Sequence, residues 1–193
     1  MQGQSLKALS ISRAKKETIM SKKVLITGTS SGFGRDTAET LAHAGHQVFA
    51  SMRDISGRNH ANAEALSSKG ILVVELDVTD DASVQRGVSS VLAQTGRLDV
   101  LINNAGIGSL NVSEAFTTDQ LRELYDVNVF GVQRVLRSVL PSLRSQPGGL
   151  VINIGSVLGR VTIPFFGLYG SSKFALEAIT ETYRYELSQF GID

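Results

Sequence analysis

This sequence predicts an α/β fold in which a doubly wound parallel sheet is covered by helices on both faces. Three observations carry that reading. From residue 22 onward, short β-branched apolar runs alternate with helix-length amphipathic segments. The runs are continuously apolar rather than alternating, as strands buried on both faces are. Several of them end in glycine-, serine- or asparagine-rich turns, which close a strand and open a helix. A chain of 193 residues suffices for one such domain with a substantial core, but not for two.

The elements follow in order. Val24-Leu25-Ile26-Thr27 is the first strand, ending in a Gly/Ser cluster, and Asp36–Ala44 reads as the first helix. Gln47–Ser51 is the second strand, followed by a polar loop and a helix near Ala61–Ser68. Ile71–Leu76 is the third strand, ending at Asp77-Val78, and Asp80–Thr95 is helical with Thr79 as its expected N-cap. Leu98–Ile102 is the fourth strand and runs into Asn103-Asn104-Ala105-Gly106. A long helix covers residues 118–144 and stops at the Pro147-Gly148-Gly149 turn. Leu150–Ile154 is the fifth strand, and Leu168–Gln189 is the closing helix. No internal repeat of solenoid period is present.

Composition excludes several functions. Hydrophobic residues make up 42% and charged residues 19%, with three prolines, which is globular rather than disordered. The net charge of +1 hides an asymmetry: residues 1–23 carry +5 and the remainder −4. The body is mildly acidic and has no basic stripe of the kind nucleic-acid binding requires. There is no cysteine, hence no disulfide framework or thiolate chemistry. His43, His46 and His60 do not stand at ligand spacing with carboxylates, so no metal site is expected. No apolar run approaches the length of a membrane span. Residues 1–21 form a basic leader without the apolar centre of a secretory signal, expected to be disordered. A cytoplasmic location is the expectation that follows.

Two loops carry the chemistry. Thr27-Gly28-Thr29-Ser30-Ser31-Gly32-Phe33-Gly34 lies between a strand and a helix. Glycines there let the turn tighten and the backbone approach a pyrophosphate, whose charge the helix N-terminus stabilises. The spacing is G-x3-G-x-G, not the general G-x-G-x-x-G, and alone it is weak evidence. In a doubly wound sheet, however, ligands bind beyond the strand ends where the winding reverses. That point falls between the first and fourth strands, which end in this loop and in Asn103-Asn104-Ala105-Gly106. Two small-residue loops would then flank one crevice suited to a flat cofactor.

Taken together, Thr-Gly-x3-Gly-x-Gly at 27–34, Asn-Asn-Ala-Gly at 103–106, Ser156, and Tyr169-Gly170-Ser171-Ser172-Lys173 resemble, in order and spacing, the classical short-chain dehydrogenase/reductase family. Asn128 in Asp126-Val127-Asn128-Val129 matches the family's fourth catalytic position. The resemblance runs over residues 22–193 and implies a Rossmann-type domain that binds a nicotinamide dinucleotide. Gly28, Ser30, Ser31, Gly32, Phe33 and Gly34 would hold its phosphates. Asp77 and Val78 would contact the adenine, and Asn103, Ala105 and Gly106 the other wall of the crevice.

Hydride reduction of a carbonyl leaves an alkoxide that must be protonated, so an acid/base group and a donor on the substrate oxygen are needed. Tyr169 is the candidate acid/base. Lys173 lies four residues on, on the same helical face, where its ammonium favours the phenolate. By resemblance, Lys173 and Tyr169 also touch the cofactor, Lys173 holding the ribose hydroxyls. Ser156 would hydrogen-bond the substrate oxygen, and Asn128 would hold a water in a proton relay. Each has a plainer reading: a surface Tyr–Lys contact, a cap at Ser156, a backbone partner at Asn128.

Cofactor choice turns on the end of the second strand, Phe49-Ala50-Ser51-Met52-Arg53. NAD-preferring relatives carry an acidic residue there for the ribose 2′-hydroxyl. Here Arg53 follows instead, and a guanidinium pairs with a 2′-phosphate that a carboxylate would repel. NADP(H) is therefore the preferred cofactor. Asp54 is the feature that points toward NAD(H), and the glycine loop offers no second basic residue.

The expected function is an NADP(H)-dependent carbonyl reductase or alcohol dehydrogenase. A dinucleotide-binding sensor or scaffold is the rival, against which the intact Ser156, Tyr169 and Lys173 argue. The helices near 118–144 and 168–189 resemble those through which the family forms homodimers and homotetramers. The apolar Val161–Leu168 segment, with Phe165 and Phe166, suggests an apolar wall and hence a small apolar carbonyl or alcohol substrate. The family's fold continues with further strands, so the chain is expected to stop before that fold is complete, leaving Leu150–Ile154 at an open edge.

Overall fold

The computed structural model describes residues 20–193. Residues 1–19, nearly all of the expected basic leader, lie outside the described residues. Five parallel strands form one sheet: β1 (Lys23–Thr27), β2 (Gln47–Met52), β3 (Leu72–Glu75), β4 (Val100–Asn103) and β5 (Leu150–Asn153). Their order is β3-β2-β1-β4-β5, so the winding reverses beside β1, between it and β4. Among the described residues, six α-helices connect or follow them: α1 (Gly32–His43), α2 (His60–Ser67), α3 (Asp81–Thr95), α4 (Thr118–Tyr125), α5 (Gly131–Arg144) and α6 (Gly167–Ser188).

The unbroken apolar strands follow from this arrangement. Leu25 stands in register with Phe49 on one side and Leu101 on the other. All three are buried on one face against α3, α5 and α6 through Val84, Val88, Leu136, Val139 and Leu176. The intervening residues Val24, Ile26, Val48, Ala50 and Ile102 pack on the opposite face with Ala38 of α1 and Leu66 of α2. Both sides of each central strand meet a helix layer, so apolar residues fill both sides and the buried polar ones, Thr27, Ser51 and Asn103, stand toward the strand ends that face the loops.

Local chemistry moves several boundaries. α1 begins at Gly32, four residues before the expected Asp36, because the glycine loop itself supplies the first helical turn. The N-cap of α3 is Asp80, whose carboxylate accepts from the Ala82 N–H at 2.8 Å, and not Thr79. Thr79 is taken by Asp77, to which its backbone N–H and hydroxyl both donate, at 2.9 and 2.8 Å. β4 starts two residues late because side chains tie down its approach. The Leu98 N–H donates to Ser142 Oγ, and Asp99 accepts from the Lys23 N–H.

The segment 118–144 is helical throughout, but not one α-helix. A Thr117–Gln120 capping box opens α4, and a π-helical turn at Asp126–Phe130 separates it from α5. β5 occupies the sheet edge, where Ile152 and Ile154 are partly exposed. Its start is not open, however. After α6 the chain turns at Gly191 (φ +65°) and runs parallel to β5. The Asp193 N–H donates to the Gly149 carbonyl, and the Val151 N–H to the Asp193 carbonyl.

This division of the core predicts unequal costs of truncation. Leu136→Ala, at a fully buried position, should lose about 2–5 kcal/mol. Ile152→Ala, on the edge strand, should lose less than about 1.5 kcal/mol. Denaturant unfolding of both variants checks this, and equal losses would show that the core does not lie where α5 meets the sheet.

Candidate active site

The winding reversal is held together by Thr27 and Asn104. The buried Thr27 hydroxyl accepts from the backbone N–H groups of Asn104 and Ala105, both at 3.0 Å. The Asn104 amide returns two bonds, to the carbonyls of Thr27 (2.9 Å) and Gly28 (3.0 Å). The β1 and β4 ends are thereby joined so closely that a Cβ on Gly28 would lie 2.7 Å from Ala105 Cα. Gly28 also has φ +70°, so glycine is required twice over. Thr29 anchors the loop sideways, its N–H and hydroxyl both reaching the Ser51 carbonyl at 3.0 Å.

A cleft of about 510 Å³ opens above this junction. Of the expected cofactor residues, Gly28, Ser30, Ser31, Phe33, Gly34, Arg53, Asp77, Val78, Ala105 and Gly106 line it. Gly32, Asn103, Tyr169 and Lys173 do not. Gly32 supplies the positive φ of +56° that turns the loop into α1. Asn103 is buried below the cleft, its amide donating to Asn153 on β5 at 2.8 Å. Ser31 caps α1 with extended backbone but no side-chain hydrogen bond, which leaves the first-turn N–H groups free for an anion.

Sequence reasoning missed two groups on the far rim. Arg58 and Asn59 both line the cleft. The mostly buried Asn59 amide donates to the Arg53 carbonyl at 2.6 Å. Asp54, the carboxylate that weighed toward NAD(H), is turned into the loop. It has φ +54°, accepts from the Arg58 N–H at 2.9 Å, and packs against Gly57. The rim therefore presents two guanidinium groups, with Asp77 4.0 Å from Arg53 as the nearest acid. A polar β2–α2 loop with one glycine was the only trace of this in the sequence.

Val78 is positioned from behind. A Cβ on Gly131, at the end of the π turn, would meet Val78 Cγ2 at 2.9 Å. Arg134 on α5 bonds the Val78 carbonyl at 3.2 Å and pairs with Asp126 (2.7 Å) and Asp81 (3.2 Å).

The second cluster lies at the inner end of the cleft. Lys173, on α6, is only 6% exposed, and its Nζ donates to the Ile154 carbonyl at 2.8 Å. That nitrogen is 5.9 Å from the centroid of the Tyr169 ring. Gly106 links cleft to cluster, since a Cβ there would stand 3.3 Å from Asn128 Oδ1 and 3.9 Å from Lys173 Nζ. Asn128 sits inside the π turn and is buried. It accepts from the Ile107 N–H and donates to the Ile107 carbonyl, both at 2.9 Å, and donates to Ser172 Oγ at 3.1 Å. It thus pins the β4 loop to α6 without bonding Lys173 directly. Ser156 caps a short 3₁₀ turn at Val157–Gly159, its Oγ accepting from the Leu158 N–H at 3.1 Å. Burial pushes the Lys173 ammonium below the usual lysine range, and the negative charge of Glu177 opposes that shift.

The apolar Val161–Leu168 segment divides. Val161, Ile163 and Phe166 form a groove of about 370 Å³ with Ser171 and Phe174. Those last two lie on the side of α6 turned away from Tyr169. Phe165 is outside that groove, half exposed with φ +70°, its carbonyl accepting from the Asn111 N–H.

Among the described residues, no helix is long and apolar enough to cross a membrane. The family model for short chain dehydrogenases matches residues 22–193. A 3-ketodihydrosphingosine reductase of Bacteroides thetaiotaomicron is 40% identical over 169 residues, covering 88% of this chain and 60% of its own. Human retinol dehydrogenase 8 is 37% identical over 176 residues, covering 89% and 56%. This chain therefore spans somewhat more than half the length of these relatives. A gluconate 5-dehydrogenase from Burkholderia cenocepacia, solved in complex with NADP and tartrate, superposes with a TM-score of 0.81 at 29% identity, covering 89% of this chain and 68% of that one. Sequence motifs, sheet order and the match over residues 22–193 agree that this chain belongs to the short-chain dehydrogenase family.

Proposed function

We propose that the protein is an oxidoreductase that exchanges a hydride between NADP(H) and a carbonyl or secondary alcohol, with Tyr169 as acid/base. The observation that carries this reading is the meeting of two clusters at Gly106. The cleft suited to a dinucleotide ends within about one side chain of buried Lys173, and Lys173 lies against the Tyr169 ring.

The residues fit the group. The uncapped N-terminus of α1 suits a pyrophosphate, and the cleft beside it is long enough to continue past Asp77 and Val78. Arg53 and Arg58 at the rim suit a ribose 2′-phosphate, because two guanidinium groups there outweigh a single acid. The Burkholderia relative was solved with NADP, which accords with this choice.

When bound, the nicotinamide supplies or accepts the hydride. The protein's part is proton and position. In reduction, the Tyr169 hydroxyl gives its proton to the forming alkoxide, and the neighbouring Lys173 ammonium favours the phenolate left behind. Ser156 Oγ accepts from Leu158 N–H, which leaves its own O–H to donate to the substrate oxygen. Asn128 fixes the Ile107 backbone, and so the inner end of the cleft, against α6. Oxidation uses the same groups in reverse.

The substrate we infer is apolar. Val157, next to Ser156, and Leu110, Val112 and Phe165 all keep large exposed apolar side chains. Asn111 ties the 110–112 loop to Phe165, and Gly167 packs on Ser113. Two relatives are named for reactions on a ketosphingoid base and on retinol, which fits the same reading.

In the full-length protein, Tyr169→Phe should lower turnover by roughly 10²–10⁴-fold while NADPH still binds, since only the proton donor is lost. Steady-state kinetics with a calorimetric binding measurement checks this, and near-normal turnover would remove Tyr169 from its role. Arg53→Ala and Arg58→Ala should each weaken 2′,5′-ADP binding about tenfold and 5′-ADP binding far less, a charge-assisted contact being worth about 1.5–3 kcal/mol. Wild-type protein that binds the two nucleotides equally would overturn the NADP(H) assignment.

A further inference from the structure

Glu177 takes no part in the proposed chemistry, yet three features of the site converge on it. It stands one helical turn beyond Lys173, which stands one turn beyond Tyr169, so the three share one face of α6. Arg160, just past the 3₁₀ turn, grips one carboxylate oxygen, with Nη2 and Nε at 2.8 and 3.1 Å from Oε2. The other oxygen lies against the backbone, where a Cβ on Gly155 would be 2.7 Å from Oε1. A Cβ on Gly159 would be 2.9 Å from Glu177 Cγ and 3.0 Å from the Lys173 carbonyl.

Gly155 and Gly159 bracket the turn that carries Ser156. Neither has a positive φ, so turn conformation does not require glycine at these two places. At Gly159 the contact with α6 does: a side chain there would meet the Lys173 carbonyl and drive the turn off the helix, whereas one at Gly155 would displace the Glu177 carboxylate from its seat. Gly155 also follows Ile154, whose carbonyl receives Lys173 Nζ. The Glu177 carboxylate thus sits under the junction between the lysine's acceptor and the substrate-facing serine.

We propose that Glu177, gripped by Arg160, is the positioning residue of this site, seating the Ser156 turn on α6 and supplying the counter-charge to the Lys173 ammonium. The inference rests on the function proposed above. The charged and titratable groups near Lys173 are Tyr169 and Glu177 from its own helix and Arg160 from the turn. The β4 loop and the π turn face it with neutral groups, Gly106 and the Asn128 amide. Glu177 is accordingly the acid that opposes the effect of burial on Lys173. The Arg160 side chain is 68% exposed and that of Glu177 26%, so screening leaves the pair little weight in global stability. Its effect should appear in geometry and charge instead.

The test follows the Lys173 ammonium directly, by NMR of [¹³Cε]lysine in the cofactor-free full-length protein, with Lys173→Arg to assign the resonance. Glu177→Gln keeps the shape and removes the charge, so the Lys173 titration midpoint should fall. Arg160→Met leaves the carboxylate without its cation, so the midpoint should rise. Both variants should unfold within about 2 °C of wild type, and both should lose turnover roughly tenfold at pH 7 through misplacement of Ser156. A merely structural pair would not move the midpoint in opposite directions. An unchanged midpoint in both variants, or a rise in Glu177→Gln, overturns the proposal. Should Glu177→Gln fail to fold, the sign of the Arg160→Met shift still decides. An active Tyr169→Phe variant would sink the underlying reading, whereas an inactive one beside a wild-type-like Glu177→Gln would sink this inference alone.

Discussion

Everything at this site depends on the junction that Asn104 and Thr27 make between two strands that are 77 residues apart at that point. A parallel sheet joins its strands by ladders, but ladders stop where strands end, and the cleft begins there. The reciprocal bonds of Thr27 and Asn104 extend the pairing past the last ladder rung into both loops. The junction has a strict spatial requirement, which Gly28 and Gly34 meet. A Cβ on Gly34 would fall 2.3 Å from the Asn104 amide nitrogen and 2.4 Å from the Gly28 carbonyl. The two walls of the cleft therefore keep a fixed spacing before any ligand arrives, which is the condition for low-cost recognition of a rigid, flat molecule.

The far rim solves a different problem. Two guanidinium groups within one short loop repel each other and are costly to order, and the loop meets this with internal bonds. Asp54 spends its carboxylate on the Arg58 N–H, and Asn59 spends its amide on the Arg53 carbonyl. The acid nearest the rim in sequence is thus consumed as structure. Counting charges along the sequence treats it as an opponent of phosphate. In the folded loop it is the brace that lets the arginines face the cleft.

The fold was legible because its signal is local and repeated. Apolar runs such as Val24–Ile26 and Val48–Ala50 report burial on both faces, and glycine or asparagine marks the ends of β1, β4 and β5. The motif residues Tyr169, Lys173, Ser156 and Asn128 stood out by spacing, and of these Asn128 and Lys173 lie close to Gly106 on the cleft wall. What escaped was decided by contacts distant in sequence or by unusual backbone. Asn104 resembles its neighbour Asn103 in the sequence, yet one splices the cleft while the other is buried beneath it. Thr79 and Asp80 are both good caps, and the choice fell to Asp80 because Asp77 had already captured Thr79. Ser156 and Asn128 each make the local bond expected of an ordinary residue, Ser156 accepting from the Leu158 N–H and Asn128 from the Ile107 N–H.

The π turn at Asp126–Phe130 has a consequence for how this segment tolerates change in length. A π turn accommodates about one residue more than regular α-helix does, and each helical residue advances the side chain by about 100°. The turn therefore acts as a phase shifter between α4 and α5. It lets α5 direct Val132, Val135, Leu136, Val139 and Leu143 into the core while Asn128 bulges toward α6. Loss of one residue here would allow a straight rod of ordinary pitch, good in itself as a helix. The rod could keep its hydrophobic stripe or its asparagine in place, but not both. Single-residue deletions should therefore be far more damaging in these five positions than in the exposed loops nearby, although no substitution among the exposed side chains of the same turn need be.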